Sequence, residues 1–199
     1  MKHLSQLSVF FPAYNEEANI TTTVLNALKV LPRVADKYEV IVVNDGSTDA
    51  TAPLIQQLTQ THRQVKLITH PYNLGYGAAL KTGLTSARYD WICFTDSDGQ
   101  FHFDEIYKFL PYTDTHDLII GFRQQRTDNP IRRFLARLLR LWDTLLFGLN
   151  LHDVDCGFKL FKKKVVDTIG PLVTQSAITE TEFMVKATRA KFKIKEVGV

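Results

Sequence analysis

Short apolar runs rich in β-branched and aromatic residues recur along the chain at 7–11, 38–43, 65–69, 91–95 and 118–121, and they predict buried strands. Between them, Ile20, Val24, Leu28 and Leu31, and later Leu54, Ile55 and Leu58, follow helical spacing. This β-α-β-α alternation predicts an α/β domain with a mostly parallel central sheet and helices on both faces. Ligands of such sheets bind beyond the carboxyl ends of the strands. The polar clusters fall where that rule requires. Pro12-Ala13-Tyr14-Asn15-Glu16-Glu17, Asn44-Asp45-Gly46-Ser47-Thr48-Asp49 and Asp96-Ser97-Asp98-Gly99-Gln100 each follow an apolar run directly, so all three are expected at one sheet edge.

Beyond residue 121 the pattern becomes a long helical segment at 130–148, then Asp153-Val154-Asp155-Cys156-Gly157-Phe158-Lys159. A short helix, a last helix near 182–190 and a strand-like alternation at 193–197 complete it. There is no internal repeat or linker, and the expectation is one domain over residues 1–199. The last alternating segment stops without a turn or cap, which suggests that the chain is a fragment.

Composition adds exclusions. Hydrophobic residues at 45% and charged residues at 23% are ordinary globular values. A net charge of +3 is too mild for a dedicated nucleic-acid-binding domain, so no nucleic-acid partner is expected. The two cysteines, Cys93 and Cys156, do not make a disulfide framework and fit a reducing compartment. The N-terminus lacks the apolar stretch of a secretory signal, and no uncharged run reaches the ~18 residues of a membrane span. The expected location is cytoplasmic, with any membrane met at its surface. Arg123, Arg126, Arg132, Arg133, Arg137 and Arg140 crowd one stretch that also carries Ile131, Phe134, Leu138, Trp142 and Leu145 at helical spacing. Such a segment either packs on the core or lies beside anionic lipid.

The chemistry centres on Asp96 and Asp98. Hard divalent cations such as Mg²⁺ or Mn²⁺ prefer carboxylate oxygens, and residues i and i+2 of an extended loop point the same way. Asp-x-Asp alone is a weak signal, because aspartate before glycine also forms ordinary Asx turns. Its position after an apolar strand, beside two other strand-end clusters, strengthens it. Asn44 to Asp49 likewise fits a turn and helix cap, which is compatible with ligand binding.

The segments 12–17, 44–49, 96–100 and 156–159 together resemble the motifs of family-2 glycosyltransferases. The resemblance implies the GT-A nucleotide-binding fold. Within the family the chain is most similar to the dolichyl- and polyprenyl-phosphate mannosyl- or glucosyltransferases, which move a hexose from a UDP- or GDP-sugar to a lipid phosphate. It further implies that Pro12, Ala13, Tyr14 and Glu16 wrap the base and ribose, and that Asp45 meets the base. Asn44 stands where a second aspartate is common. Asp96 and Asp98 would hold the metal and donor diphosphate, with Gln100 following them.

Gly75-Tyr76-Gly77-Ala78-Ala79-Leu80-Lys81 lacks the third glycine of a dinucleotide fingerprint. In the resembled family it opens a helix beside the nucleotide, where Lys81 is either a phosphate contact or a solvated side chain. Gly121-Phe122-Arg123 resembles a phosphate-facing element, making Arg123 the leading phosphate candidate. Asp153 matches an acidic position of the lipid-phosphate group.

A phosphate acceptor is already ionised near neutral pH and needs no general base, whereas a hydroxyl acceptor needs one, for which Asp153, Glu180 and Glu182 are the candidates. The resemblance implies inversion at the anomeric carbon. Two alternatives stay open: transfer to a hydroxyl acceptor such as a glycan, and a nucleotide-sugar-binding module without turnover. The oligomeric state is not legible.

Overall fold

The structure, a computed structural model, describes residues 2–124, 151–176 and 178–199. The segment at 130–148 and Arg126, Arg132, Arg133, Arg137 and Arg140 therefore lie outside the described residues. Seven strands form one sheet: β1 (Leu4–Ala13), β2 (Ala35–Asn44), β3 (Val65–Thr69), β4 (Trp91–Thr95), β5 (Leu118–Phe122), β6 (Phe158–Lys162) and β7 (Ile194–Gly198), in the order β3-β2-β1-β4-β6-β5-β7. Every pairing is parallel except those of β6, which runs antiparallel to both β4 and β5.

Among the described residues five α-helices flank the sheet: α1 (Ile20–Val30), α2 (Thr51–Thr61), α3 (Tyr76–Ser86), α4 (Lys163–Ile169) and α5 (Ile178–Arg189). The period-2 alternation of the strands divides the core in two. Val9, Phe11, Val40 and Val42 pack with Ile20, Val24 and Ala27 of α1 and Ile55 of α2. Phe10, Ile41 and Val43 pack on the other face with Leu80 and Leu84 of α3, Val165 of α4 and Met184 of α5. Apolar on both faces, the central strands read as unbroken hydrophobic runs, and the helices cover both sides as the sequence predicts.

Two elements differ from expectation. β6 is a strand where only a polar junction and a helix were expected, because Lys159 and Lys162 interrupt its apolar pattern. α5 begins at Ile178, a turn before the predicted start. Both differences centre on one pair, Lys159 and Glu180: the lysine is fully buried, the glutamate 5% exposed, and each supplies the other's charge.

Candidate active site

The three strand-end clusters converge, as the carboxyl-edge rule predicts, on a cleft of about 320 Å³. Pro12, Ala13, Tyr14, Glu16, Asp45, Asp96 and Asp98 all line it. The loops after β1 and β2 are tied to one another by polar contacts. Asn15 N–H donates to Ser47 Oγ at 3.0 Å, Thr48 N–H to Asn15 Oδ1 at 2.9 Å, and Glu16 N–H to Thr51 Oγ1 at 2.8 Å. Asn15 adopts φ 55°, a left-handed conformation that asparagine tolerates. Asn44 needs no charge for its place: its Oδ1 accepts from Ser47 N–H at 3.1 Å.

Asp45 is buried and heavily engaged. Its Oδ1 accepts from Leu74 N–H at 2.9 Å and faces His70 Nδ1 at 2.7 Å, while Oδ2 accepts from Gly75 N–H at 2.9 Å. His70 is fixed from behind by Thr82 Oγ1, 2.9 Å from its Nε2.

On the loop after β4, Ser97 Oγ donates to the Pro12 carbonyl at 2.7 Å, joining the loop to β1. Gln100 closes on Asp98, its N–H 2.9 Å from Oδ1 and its Nε2 2.7 Å from Oδ2. Asp96 is clamped from two sides. Tyr76 Oη lies 3.2 Å from its Oδ1, and a Cβ added at Gly157 would fall 1.9 Å from its Oδ2, so only glycine fits at 157. Gly77 is close-packed in the same way, its absent Cβ giving place to Thr179 Oγ1 at 2.2 Å and letting α3 approach the start of α5.

Burial, then the neighbouring Glu180 and Asp98 carboxylates, push Asp96 up to about 7 from 3.8, against the opposing influence of Lys159 and Tyr76. Tyr76 is pushed well above its ordinary range by burial and by Glu180 and Asp96, which keeps its hydroxyl protonated. A carboxyl raised on folding binds protons more tightly in the folded than in the unfolded state. Its contribution therefore favours folding at low pH and is lost as pH climbs from 3.8 to about 7. Metal-free protein should accordingly melt lower at about pH 8 than at about pH 6, and Asp96→Asn should flatten that slope. Scanning fluorimetry in chelator checks this; an unaltered slope in the variant would count against it.

Asp96 and Asp98 fit a divalent cation. They supply two hard oxygen ligands whose mutual repulsion, visible in the raised Asp96, a cation would relieve. Among the described residues no third ligating side chain completes a cage. The remaining positions would fall to phosphate oxygens and water, which suits Mg²⁺ or Mn²⁺.

Two expected phosphate ligands, Lys81 and Arg123, both bond to other parts of the protein. Lys81 does not join the cleft: its Nζ donates to the Thr174 carbonyl at 3.0 Å and borders a separate apolar groove. Arg123 grips Asp153 through two bonds, Nε to Oδ2 at 2.8 Å and Nη2 to Oδ1 at 3.0 Å, so the two form one unit at the end of β5. Glu182 is engaged by Val173, Thr174 and Lys186. Burial would raise it, but hydrogen bonds from Lys186, Thr174 and Val173 outweigh that and hold it at about 2.

Sequence reading missed Tyr76, Lys159 and the steric role of Gly157. Lys159 carried a signal nonetheless: a lysine inside Phe158-Lys159-Leu160-Phe161 demands an acidic partner.

A mostly parallel sheet with a carboxylate pair and a bound-in polar loop at its carboxyl edge defines a nucleotide-binding domain of the GT-A type. Solved structures share it: glucosyl-3-phosphoglycerate synthase from Mycobacterium tuberculosis, in complex with Mn²⁺ and UDP-glucose, superposes with a TM-score of 0.75 at 21% identity, covering 98% of this chain and 69% of that one. The chain belongs to glycosyl transferase family 2, whose profile matches residues 8–170. It is 30% identical to the dolichyl-phosphate beta-glucosyltransferase ALG5C of Trichomonas vaginalis, covering 94% of this chain and 61% of that protein. The dolichyl-phosphate beta-glucosyltransferases of Saccharomyces cerevisiae and Homo sapiens are also each 30% identical, covering 97% and 98% of this chain. The chain spans 66% of the length of each. Among the described residues no helix is long and apolar enough to cross a membrane.

Proposed function

We propose that the chain transfers glucose from UDP-glucose to a polyprenyl phosphate, with inversion, at the surface of a membrane. The observation that carries this is the Asp96–Asp98 pair lining one cleft together with Asp45. A bound divalent cation would supply neutralisation of the diphosphate as it departs. Asp96 and Asp98 hold that charge in place, and the loop from Pro12 to Glu16 encloses the nucleoside.

Lone-pair bookkeeping at Asp45 favours uracil. A carboxylate has about four acceptor sites, and His70, Leu74 N–H and Gly75 N–H occupy all but one, on Oδ2. That remainder suits the single N3–H of uracil better than the adjacent N–H donors of guanine, which ask for both oxygens. The names of the relatives support glucose and a dolichyl-type acceptor.

The candidate bases favour an acceptor that carries its own charge. Asp153 is paired with Arg123, Glu180 with Lys159 and Glu182 with Lys186, so each carboxylate is already committed to a cation. A phosphate monoester, ionised near neutral pH, attacks without their help. Arg123, at the carboxyl edge beside Asp153, remains the leading side chain to meet it.

The test is a panel of UDP- and GDP-sugars with Mn²⁺ or Mg²⁺, offered with polyprenyl phosphate or with free glycans, and read as lipid-linked product. The expected result is metal-dependent transfer from UDP-glucose to the lipid phosphate, with the anomeric configuration of the product opposite to that of the donor. Transfer to glycans alone would establish the hydroxyl-acceptor reading instead, and donor binding without product in any arm would make the chain a binding module.

A further inference from the structure

The proposed transfer uses only the last member, Asp96, of a chain of polar groups that runs from the core to the cleft. Lys159 of β6, fully buried, donates from Nζ to the Cys156 carbonyl at 2.6 Å and to Glu180 Oε2. Glu180, in the first turn of α5, accepts through Oε1 from Tyr76 Oη at 2.6 Å. The same hydroxyl reaches Asp96 Oδ1 at 3.2 Å. Three elements distant in sequence thus meet on one hydroxyl group, and that group ends on a carboxylate of the cleft.

Stability alone does not call for this arrangement, because a buried ion pair is often matched or bettered by apolar residues of similar volume. The charges point to another use. Lys159 is paired with Glu180, so the carboxylates left to face a cation in the cleft are Asp96 and Asp98. The geometry agrees. Tyr76 Oη, whose one proton is shared between Glu180 Oε1 and Asp96 Oδ1, borders one side of the Asp96 carboxylate, Gly157 packs closely against the other, and Asp96 N–H is anchored on the Gly157 carbonyl at 3.0 Å. Side chains that orient a metal ligand in this way tune affinity without touching the ion.

We propose that Tyr76 is a positioning residue for Asp96, held in place by the Lys159–Glu180 pair, and that it sets how tightly the cleft takes a divalent cation with the donor nucleotide. This rests on the reading of Asp96 and Asp98 as the cation site. The experiment is Mn²⁺ binding, followed by the electron paramagnetic resonance signal of free Mn²⁺ in the presence of UDP, for wild type and Tyr76→Phe, which removes only the hydroxyl. UDP binding in chelator and metal-free melting serve as controls.

The Mn²⁺ dissociation constant should rise about 10- to 100-fold in Tyr76→Phe, with UDP binding in chelator unchanged and the metal-free melting temperature lowered by the loss of the bond to Glu180. The double variant Lys159→Met/Glu180→Gln, which keeps volume and removes both charges while retaining Tyr76, should weaken Mn²⁺ binding in the same direction. Wild-type affinity in Tyr76→Phe overturns the inference and leaves the cation site standing. Equal losses with and without metal also overturn it, since Tyr76 would then be a nucleotide contact. Absence of Mn²⁺ binding in the wild type overturns the cation site itself, and the inference with it.

Discussion

Asp98→Ala is expected to lower sugar transfer by at least about a hundredfold, the scale on which a preorganised charge-stabilising group is felt in the rate, without unfolding the domain. Asp98 is only half-buried, and its bonds come from Gln100 within the same loop, so its loss disturbs no distant packing. Its removal should even ease the metal-free protein, because Asp98 is one of the groups that push Asp96 upward. Three measurements belong together: lipid-linked product formation, the circular dichroism spectrum, and the rise in melting temperature on adding Mn²⁺ and UDP. Activity should collapse, the spectrum should hold, and the metal-dependent rise should vanish. Activity that survives both this substitution and chelation would remove the cation from the reaction.

Lys159→Met should have the largest effect on stability. The substitution keeps the length of the side chain but strands Glu180, 5% exposed, without its cation. Breaking a buried pair from one side costs about 3–5 kcal/mol. For a domain of this size that corresponds to a fall of roughly 6–20 °C in melting temperature. Adding Glu180→Gln to the same protein should return most of the loss, because the penalty is the unpaired charge and not the missing bond. A double-mutant cycle by thermal or urea melting measures it. Additive losses would show that the two side chains do not act as a pair.

The convergence of the three strand-end clusters on one cleft was legible because its signals are local. An unbroken apolar run marks a doubly covered strand, the residues that follow are placed at the carboxyl edge by topology alone, and α1 and α2 announce themselves through Ile20, Val24 and Leu58. The cations were harder to place. Whether an arginine or lysine meets substrate or protein depends on what folds against it. Lys81 is met by Thr174, Arg123 by Asp153 and Lys159 by Glu180, and none of these partners is close in the chain. Glu180 and Tyr76 are 104 residues apart. β6 escaped notice for the same reason, its apolar pattern broken by lysines whose acidic partners come from elsewhere in the fold.

The reversed direction of β6 has a consequence for how this architecture can vary. β5 finishes at Phe122 and β6 starts at Phe158 on the same edge, and the two strands are immediate neighbours, with Ile120 opposite Lys159. Neighbouring strands lie about 4.8 Å apart. The end of β5 and the start of β6 therefore stand side by side at the carboxyl edge of the sheet, where Gly157 packs on Asp96. The pairing of β4, β6 and β5 is set by bonds within the sheet, so the strand frame that holds Asp96 against Gly157 does not depend on the length of chain joining β5 to β6.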